Sequence, residues 1–190
     1  MEKTAPGRLE IVRSFINTAD IETGADQLAT TQGLEGWIAE QDLVSGPPLP
    51  PECHGQELET AVALREALRA LCLANNGMKP DHDTRTALVA ATDSLHLHLT
   101  ARFGADGMIS LEPDETGIRQ ALAEILTIVF AALHDGTWYR LKACADDTCQ
   151  FAFYDHSKNH SGHWCTMAEC GNRAKVRSYR ARQSPATIAG

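Results

Sequence analysis

Four cysteines near the end of the chain carry the clearest chemistry. Cys144 and Cys149 form one pair and Cys165 and Cys170 another, in the order C-x4-C-x15-C-x4-C. Thiolates in two tight pairs joined by a short loop are the donor set of a tetrahedral zinc ion, bound at ~2.3 Å per sulfur. A dithiol redox site uses C-x-x-C beside a βαβ pattern, which is absent here. Four thiolates close the coordination shell, so the spacing predicts one structural zinc per chain and no catalytic metal. His156, His160 and His163 lie between the pairs and are the alternative donors.

Behind the last cysteine the chain turns basic. Arg173, Lys175, Arg177, Arg180 and Arg182 fall on one predicted helix. At about 100° per residue, Arg173, Arg177 and Arg180 lie within about 60° of one another, with Lys175 and Arg182 opposite. A helix lying in a groove touches phosphates from both flanks in this way, and Asn172 or Arg173 at its start could reach base edges. Lys158, in the loop between the cysteine pairs, joins this candidate DNA-binding set. A solvated surface helix has the same pattern. Cys170, Ala174 and Ala181 form the face nearest the metal, and Gly171 is expected to permit close packing beside it.

The charge of the whole chain hides this segment. The net charge is -8 and the pI about 5.4. Residues 1–137 hold 9 Lys/Arg against 21 Asp/Glu, a net of -12, and residues 138–190 hold 8 against 4, a net of +4. Charge by segment is what bears on nucleic acid. Hydrophobic residues make up 43%, enough for one ordinary core plus a small module. No apolar run approaches the ~20 residues that span a bilayer, and the first residues have no apolar signal core. A cytoplasmic bacterial protein without a membrane partner is expected. Cys72 reads as a core residue and Cys53 as an idle thiol.

The elements that must position the cysteines are mostly helical. Residues 7–20 carry Leu9, Val12, Phe15 and Ile16 at helical spacing, and Thr30-Thr31 caps a helix holding Leu34, Trp37 and Ile38. Prolines at 47, 48, 50 and 51 forbid helix. Helices are predicted over 57–74, 83–91 and 115–134, the last with an apolar stripe through almost five turns that other helices must cover. Alternation in Leu95-His96-Leu97-His98-Leu99 predicts a strand, with 108–111 returning after the Gly104–Gly107 turn. Residues 145–148 supply a turn between the first cysteines, and 150–164 a hairpin with Phe151, Phe153 and Tyr154 in a strand. Thr166 and Glu169 fit a capping box, which starts a helix at about Met167 and puts Cys170 in its first turn. The result is a treble-clef-like module in which the metal replaces a core.

Segment 144–182 resembles the CGNR zinc finger, named for Cys170-Gly171-Asn172-Arg173. The likeness includes Trp164-Cys165, Ala174-Lys175 and the preceding Asp155-x-Ser157-Lys158-Asn159. The N-terminal part resembles the ABATE domain that accompanies this finger, through Phe15-Ile16-Asn17-Thr18-x-Asp20, the Leu64-Arg65-Glu66-Ala67-Leu68 helix and the helix holding Ile125. The resemblance implies a stress-induced transcriptional regulator of bacteria, of actinobacterial type. His156, His160 and His163 stand where arginines are common, which lowers the basic charge of that loop.

Other constellations are weaker. His96 and His98 share a strand face, where a polar outer face is the plain alternative to a metal or ligand site. Asn17 and Asp20 near Arg65 suggest an effector pocket or helix capping. No phosphate loop, nucleophile–base pair or paired-carboxylate site stands out, so no enzyme is expected. The expectation is an α+β, predominantly helical protein. Residues 1–137 form a helical domain with a β-hairpin that senses a small-molecule effector or makes a homodimer. Residues 138–190 form the zinc module that contacts DNA. The alternatives are a protein-interaction module with a structural zinc, or a small-molecule-binding protein.

Overall fold

In the computed structural model, residues 3–44, 54–78, 86 and 98–183 are described. Helix α1 (Leu9–Ile16) is shorter than its apolar spacing predicts. Its last turn gives way to a tight turn in which Asp20 N donates to Ala25 O, and Asp20 Oδ1 accepts from Glu22 N and Thr23 N. Helix α2 (Thr31–Glu40) starts as predicted, with Thr30 Oγ1 accepting from Gly33 N at 3.1 Å. Helix α3 (His54–Asn75) and helix α4 (Gly117–Asp135) supply the long apolar faces. Gly136 ends α4 in the left-handed conformation (φ 81°), where a side chain would be strained.

The apolar faces of α1 to α4 meet in one core. Val12, Phe15, Ile16, Leu34, Leu64, Leu68, Leu122 and Ile125 are all fully buried in it, together with the thiol of Cys72. Burial also pushes the Cys72 pKa up, as expected for a core residue. Helix α4 spans 19 residues, and an 18-residue window of it has a mean hydropathy of 1.3, long and apolar enough to cross a membrane by length and composition. Here Ile118, Leu122, Ile125 and Val129 pack inward instead.

The predicted hairpin forms with a shifted first strand. Strand β1 (Leu99–Phe103) pairs antiparallel with β2 (Ile109–Pro113), Phe103 opposite Ile109. The turn bond from Gly104 N to Met108 O forces the residues next to the turn to pair. The alternating stretch shares Leu99 with β1. Its residues 95–97, including His96, fall outside the described residues, as do Cys53, the proline connection and the predicted 83–91 helix apart from Thr86, which is helical. His98 is exposed and faces Glu115 at 3.4 Å.

After α4 a 3-10 turn (Thr137–Arg140) leads into β3 (Leu141–Ala143), which pairs antiparallel with β4 (Ala152–Tyr154). This corrects the expected hairpin within 150–164: the partner of the aromatic strand precedes Cys144, and the first cysteine pair sits in the loop between the strands. Leu141, Ala143, Ala152 and Tyr154 are buried in the same core as the helices, so the apolar core crosses residue 137. β3 lies against α3 and β4 against α1. Asn17 pairs edge-on with β4, donating to Ala152 O and accepting from Ala152 N at 2.9 and 2.7 Å.

Candidate metal centre and basic helix

The first cysteine pair is presented by a tight knuckle. Cys149 N and Gln150 N both donate to Asp146 O, at 2.8 and 3.0 Å. Gln150 takes a left-handed backbone (φ 47°), uncommon outside glycine. Arg69, buried in α3, holds it by donating to Gln150 O at 3.0 Å and to Ile16 O at 2.6 Å. Of the second pair, Cys165 precedes and Cys170 lies within a single π-helical turn (Met167–Gly171), closed by Gly171 N on Thr166 O, which runs into α5 (Asn172–Gln183). Cys170 lies in this first turn as predicted. The capping box does not form: Thr166 Oγ1 meets the Glu169 carboxylate at 3.2 Å, and neither side chain caps the backbone. A widened turn moves the free amides away from Thr166. Gly171 gives close approach to Met167 and Trp164, which a Cβ would meet at 2.7 and 3.4 Å.

The four Sγ atoms of Cys144, Cys149, Cys165 and Cys170 lie within 4.8 Å of one another, and Cys165 stands 3.6 Å from both Cys149 and Cys170. Four sulfurs at ~2.3 Å from one tetrahedral ion are about 3.8 Å apart, so this cage fits zinc. The thiols alone are electrostatically frustrated. Hydrogen bonds from Cys149 and then Cys165 hold Cys144 far below the thiol range, and the contact with Cys144 in turn pushes Cys149 and Cys165 up. A dication resolves the conflict by taking all four as thiolates. The site binds one structural zinc. Among the described residues no histidine joins the cage. His163 Nδ1 is 2.8 Å from Asn76 Oδ1, His156 Nε2 is 2.8 Å from Thr4 O, and His160 contributes its carbonyl to Lys142.

Two groups that the sequence reading missed hold the cage in place. Asn76, buried at the end of α3, donates to Ala143 O and His163 O at 2.8 and 2.9 Å. Lys142 and Asp155 form a buried ion pair at 2.8 Å, and Lys142 Nζ also donates to His160 O and Gly162 O. Burial alone would raise the Asp155 pKa. Lys142 and the amides of Ser157 and Gly162 outweigh it and hold the carboxyl well below the usual range. The pair fixes the 155–162 loop that brings Trp164 and Cys165 back to the knuckle. Its sequence signals are a lysine between apolar residues just before Cys144 and the Asp155 that opens the Asp155-x-Ser157-Lys158-Asn159 motif.

The predicted DNA-contacting residues divide by place. Lys158, Lys175, Arg180 and Arg182 are exposed, and no residue of α5 is buried. Asn172 donates to Ala168 O at 2.8 Å within the helix. Arg177, 55% exposed, meets the Asp146 carboxylate at 3.1 Å. Arg173 is engaged on three sides: its Nη atoms donate to both Glu22 carboxylate oxygens at 2.6 and 3.1 Å, Nη2 also donates to Cys170 Sγ at 3.1 Å, and Nε stands 3.1 Å from Asp146 Oδ2. Burial would raise the Asp146 pKa, but Thr148 and Arg177 hold it below the usual value. Of the proposed effector residues, Asn17 pairs with β4, Asp20 caps its turn, and Arg65 meets Asp26 and Thr18.

No curated protein matches the chain. The CGNR zinc finger profile matches residues 140–183, which hold all four cysteines and α5. A second profile, ABATE, described as "Putative stress-induced transcription regulator", matches residues 10–140, and the chain belongs to that family.

Proposed function

We propose that the chain is a DNA-binding transcriptional regulator of the cytoplasm, with no enzymatic activity, whose α5 contacts the phosphate backbone. One observation carries the reading. The start of α5 is tied to the body through Arg173 and Arg177, and the helix presents Lys175, Arg180 and Arg182 as exposed side chains. The family description and the +4 charge of residues 138–190 agree with it. One short helix makes few contacts, so the reading assigns residues 1–137 the homodimer contact that doubles them. Binding of a small-molecule effector is the other role open to that part.

The test is DNA binding against salt concentration. About four neutralised phosphates per chain give a log–log slope near -3.6, by the counterion rule of about 0.9 per contact. Lys175→Ala with Arg182→Ala is expected to weaken binding and flatten the slope by about 1.8 with zinc retained, since neither side chain reaches the zinc knuckle. Unchanged affinity in that double variant favours the protein-interaction alternative, in which α5 docks on a protein partner.

A further inference from the structure

We propose that Arg173 is a positioning residue that closes the anionic zinc centre and clamps α5 to the N-terminal body, and is not a phosphate contact. Zinc with four thiolates carries a net charge of -2. The carboxylate of Asp146, whose side chain is 0% exposed, sits in the knuckle between Cys144 and Cys149 and adds another negative charge. Such a cluster needs cations at its rim. Arg173 and Arg177 both reach Asp146.

Arg173 does more than balance charge. Asp146 Oδ2 and Arg173 Nε are buried, and neither has a hydrogen bond. At 3.1 Å they are joined by charge, so removing either leaves the other buried and uncompensated. The N–H of Nη2 on Cys170 Sγ orients a zinc ligand and lowers the electron density on its sulfur, as groups one layer beyond a metal's ligands do. The rest of the fork grips Glu22 in the turn after α1, so the side chain that steadies the second cysteine pair also fixes the direction in which α5 leaves the body. These contacts engage four of the five N–H groups of the guanidinium, so no bidentate face is left for a phosphate. DNA contact then falls to Lys175, Arg177, Arg180 and Arg182. That last step rests on the DNA-binding reading, while the zinc clamp does not.

The test uses the full-length zinc-loaded protein with Arg173→Ala, Arg173→Lys and Glu22→Gln. The first readout is the rate of zinc transfer to a chromophoric chelator. Arg173→Ala is expected to lose zinc on the order of 10–100-fold faster, with Arg173→Lys between it and the wild type. Glu22, on the exposed turn, tolerates replacement; Glu22→Gln gives a smaller acceleration, and adding it to Arg173→Ala gives no further one, because the two share one contact. Zinc loss by Arg173→Ala within two-fold of the wild type overturns the clamp. The second readout is DNA affinity of Glu22→Gln. A clamp predicts affinity no higher than the wild type. Tighter DNA binding with unchanged zinc loss means that Glu22 was masking a phosphate contact, and overturns the proposal. The zinc readout decides the clamp even if the wild type binds no DNA.

Discussion

The helical body and the zinc module are held by different forces. In the body, Val12, Phe15, Ile16, Leu64, Leu68, Leu122 and Ile125 are sealed against one another. The module has only Cys144, Cys149 and Cys170 in its own buried cluster, with Phe151, Trp164 and Cys165 partly covering them. Around that small cluster stand the pairs Lys142–Asp155, Arg177–Asp146 and Arg173–Glu22. About 40 residues cannot bury enough apolar surface to hold a fold, so metal and charge take over. The division does not follow the order of the chain. Strands β3 and β4, which carry the first cysteine pair, belong to the apolar core of the body. The zinc site is therefore mounted on a rigid base at one end and tied by charges at the other. The body should ignore chelators and acid that dismantle the module.

Removing the metal tests this most severely. Structural zinc contributes about 10–16 kcal/mol of apparent binding free energy in small domains. Chelation, or Cys165→Ser, is expected to abolish amide protection in residues 144–150 and 156–183 while α1, α3, α4, β3 and β4 stay protected in hydrogen exchange. Loss of protection through α1 and α4 would show that the two regions share one cooperative unit.

Next in size is the buried ion pair. Asp155→Ala leaves Lys142 charged and unpaired, and should cost about 3–5 kcal/mol in urea unfolding near pH 7. The pH dependence has a definite sign. The folded pKa of Asp155 lies below the unfolded ~3.9, so its contribution is complete above about pH 5 and is lost as pH falls through the folded value. The difference between wild type and variant should be flat from neutral to about pH 5 and shrink below pH 4. A difference that shrinks between pH 8 and 6 would point to another group.

A cavity in the body sharpens the contrast from the other side. Leu122→Ala in α4 should cost about 2–5 kcal/mol in global unfolding, with one zinc per chain retained. Metal analysis showing less zinc in the folded variant would mean that the core reaches the cage more directly than its contacts show.

The smallest expected effect lies at the seam. Asn76→Ala removes bonds to Ala143 O and His163 O and should cost about 1–3 kcal/mol. It should also quicken exchange of the Ala145 amide, which donates to His163 O at 3.0 Å. Unchanged exchange there would assign Asn76 to the body alone.

The four zinc ligands were legible because metal chemistry restricts both residue type and spacing. The long helices were legible because an apolar stripe at helical spacing must be covered. The register of the hairpin was less legible, because alternation marks a face and not a partner; the turn at 104–107 sets Phe103 against Ile109. The strand facing β4 was missed because Leu141–Ala143 is three residues long, too short for any period to be seen. The capping-box pattern at Thr166–Glu169 misled because it assumes an α-helical first turn, and the metal ligand sits in a wider one.

By itself, the sequence determined the donor set, the basic run behind it, the acidic body ahead of it and the family. Each is local: a spacing, a count or a motif within about forty residues. Tertiary structure decided which charges meet. It brought Glu22 to Arg173 across 151 positions, Asn76 to His163 across 87, and Asn17 to Ala152 across 135. A guanidinium is a phosphate contact or a clamp according to the carboxylates within reach, and chain order says nothing about a distance of 3 Å between residues so far apart.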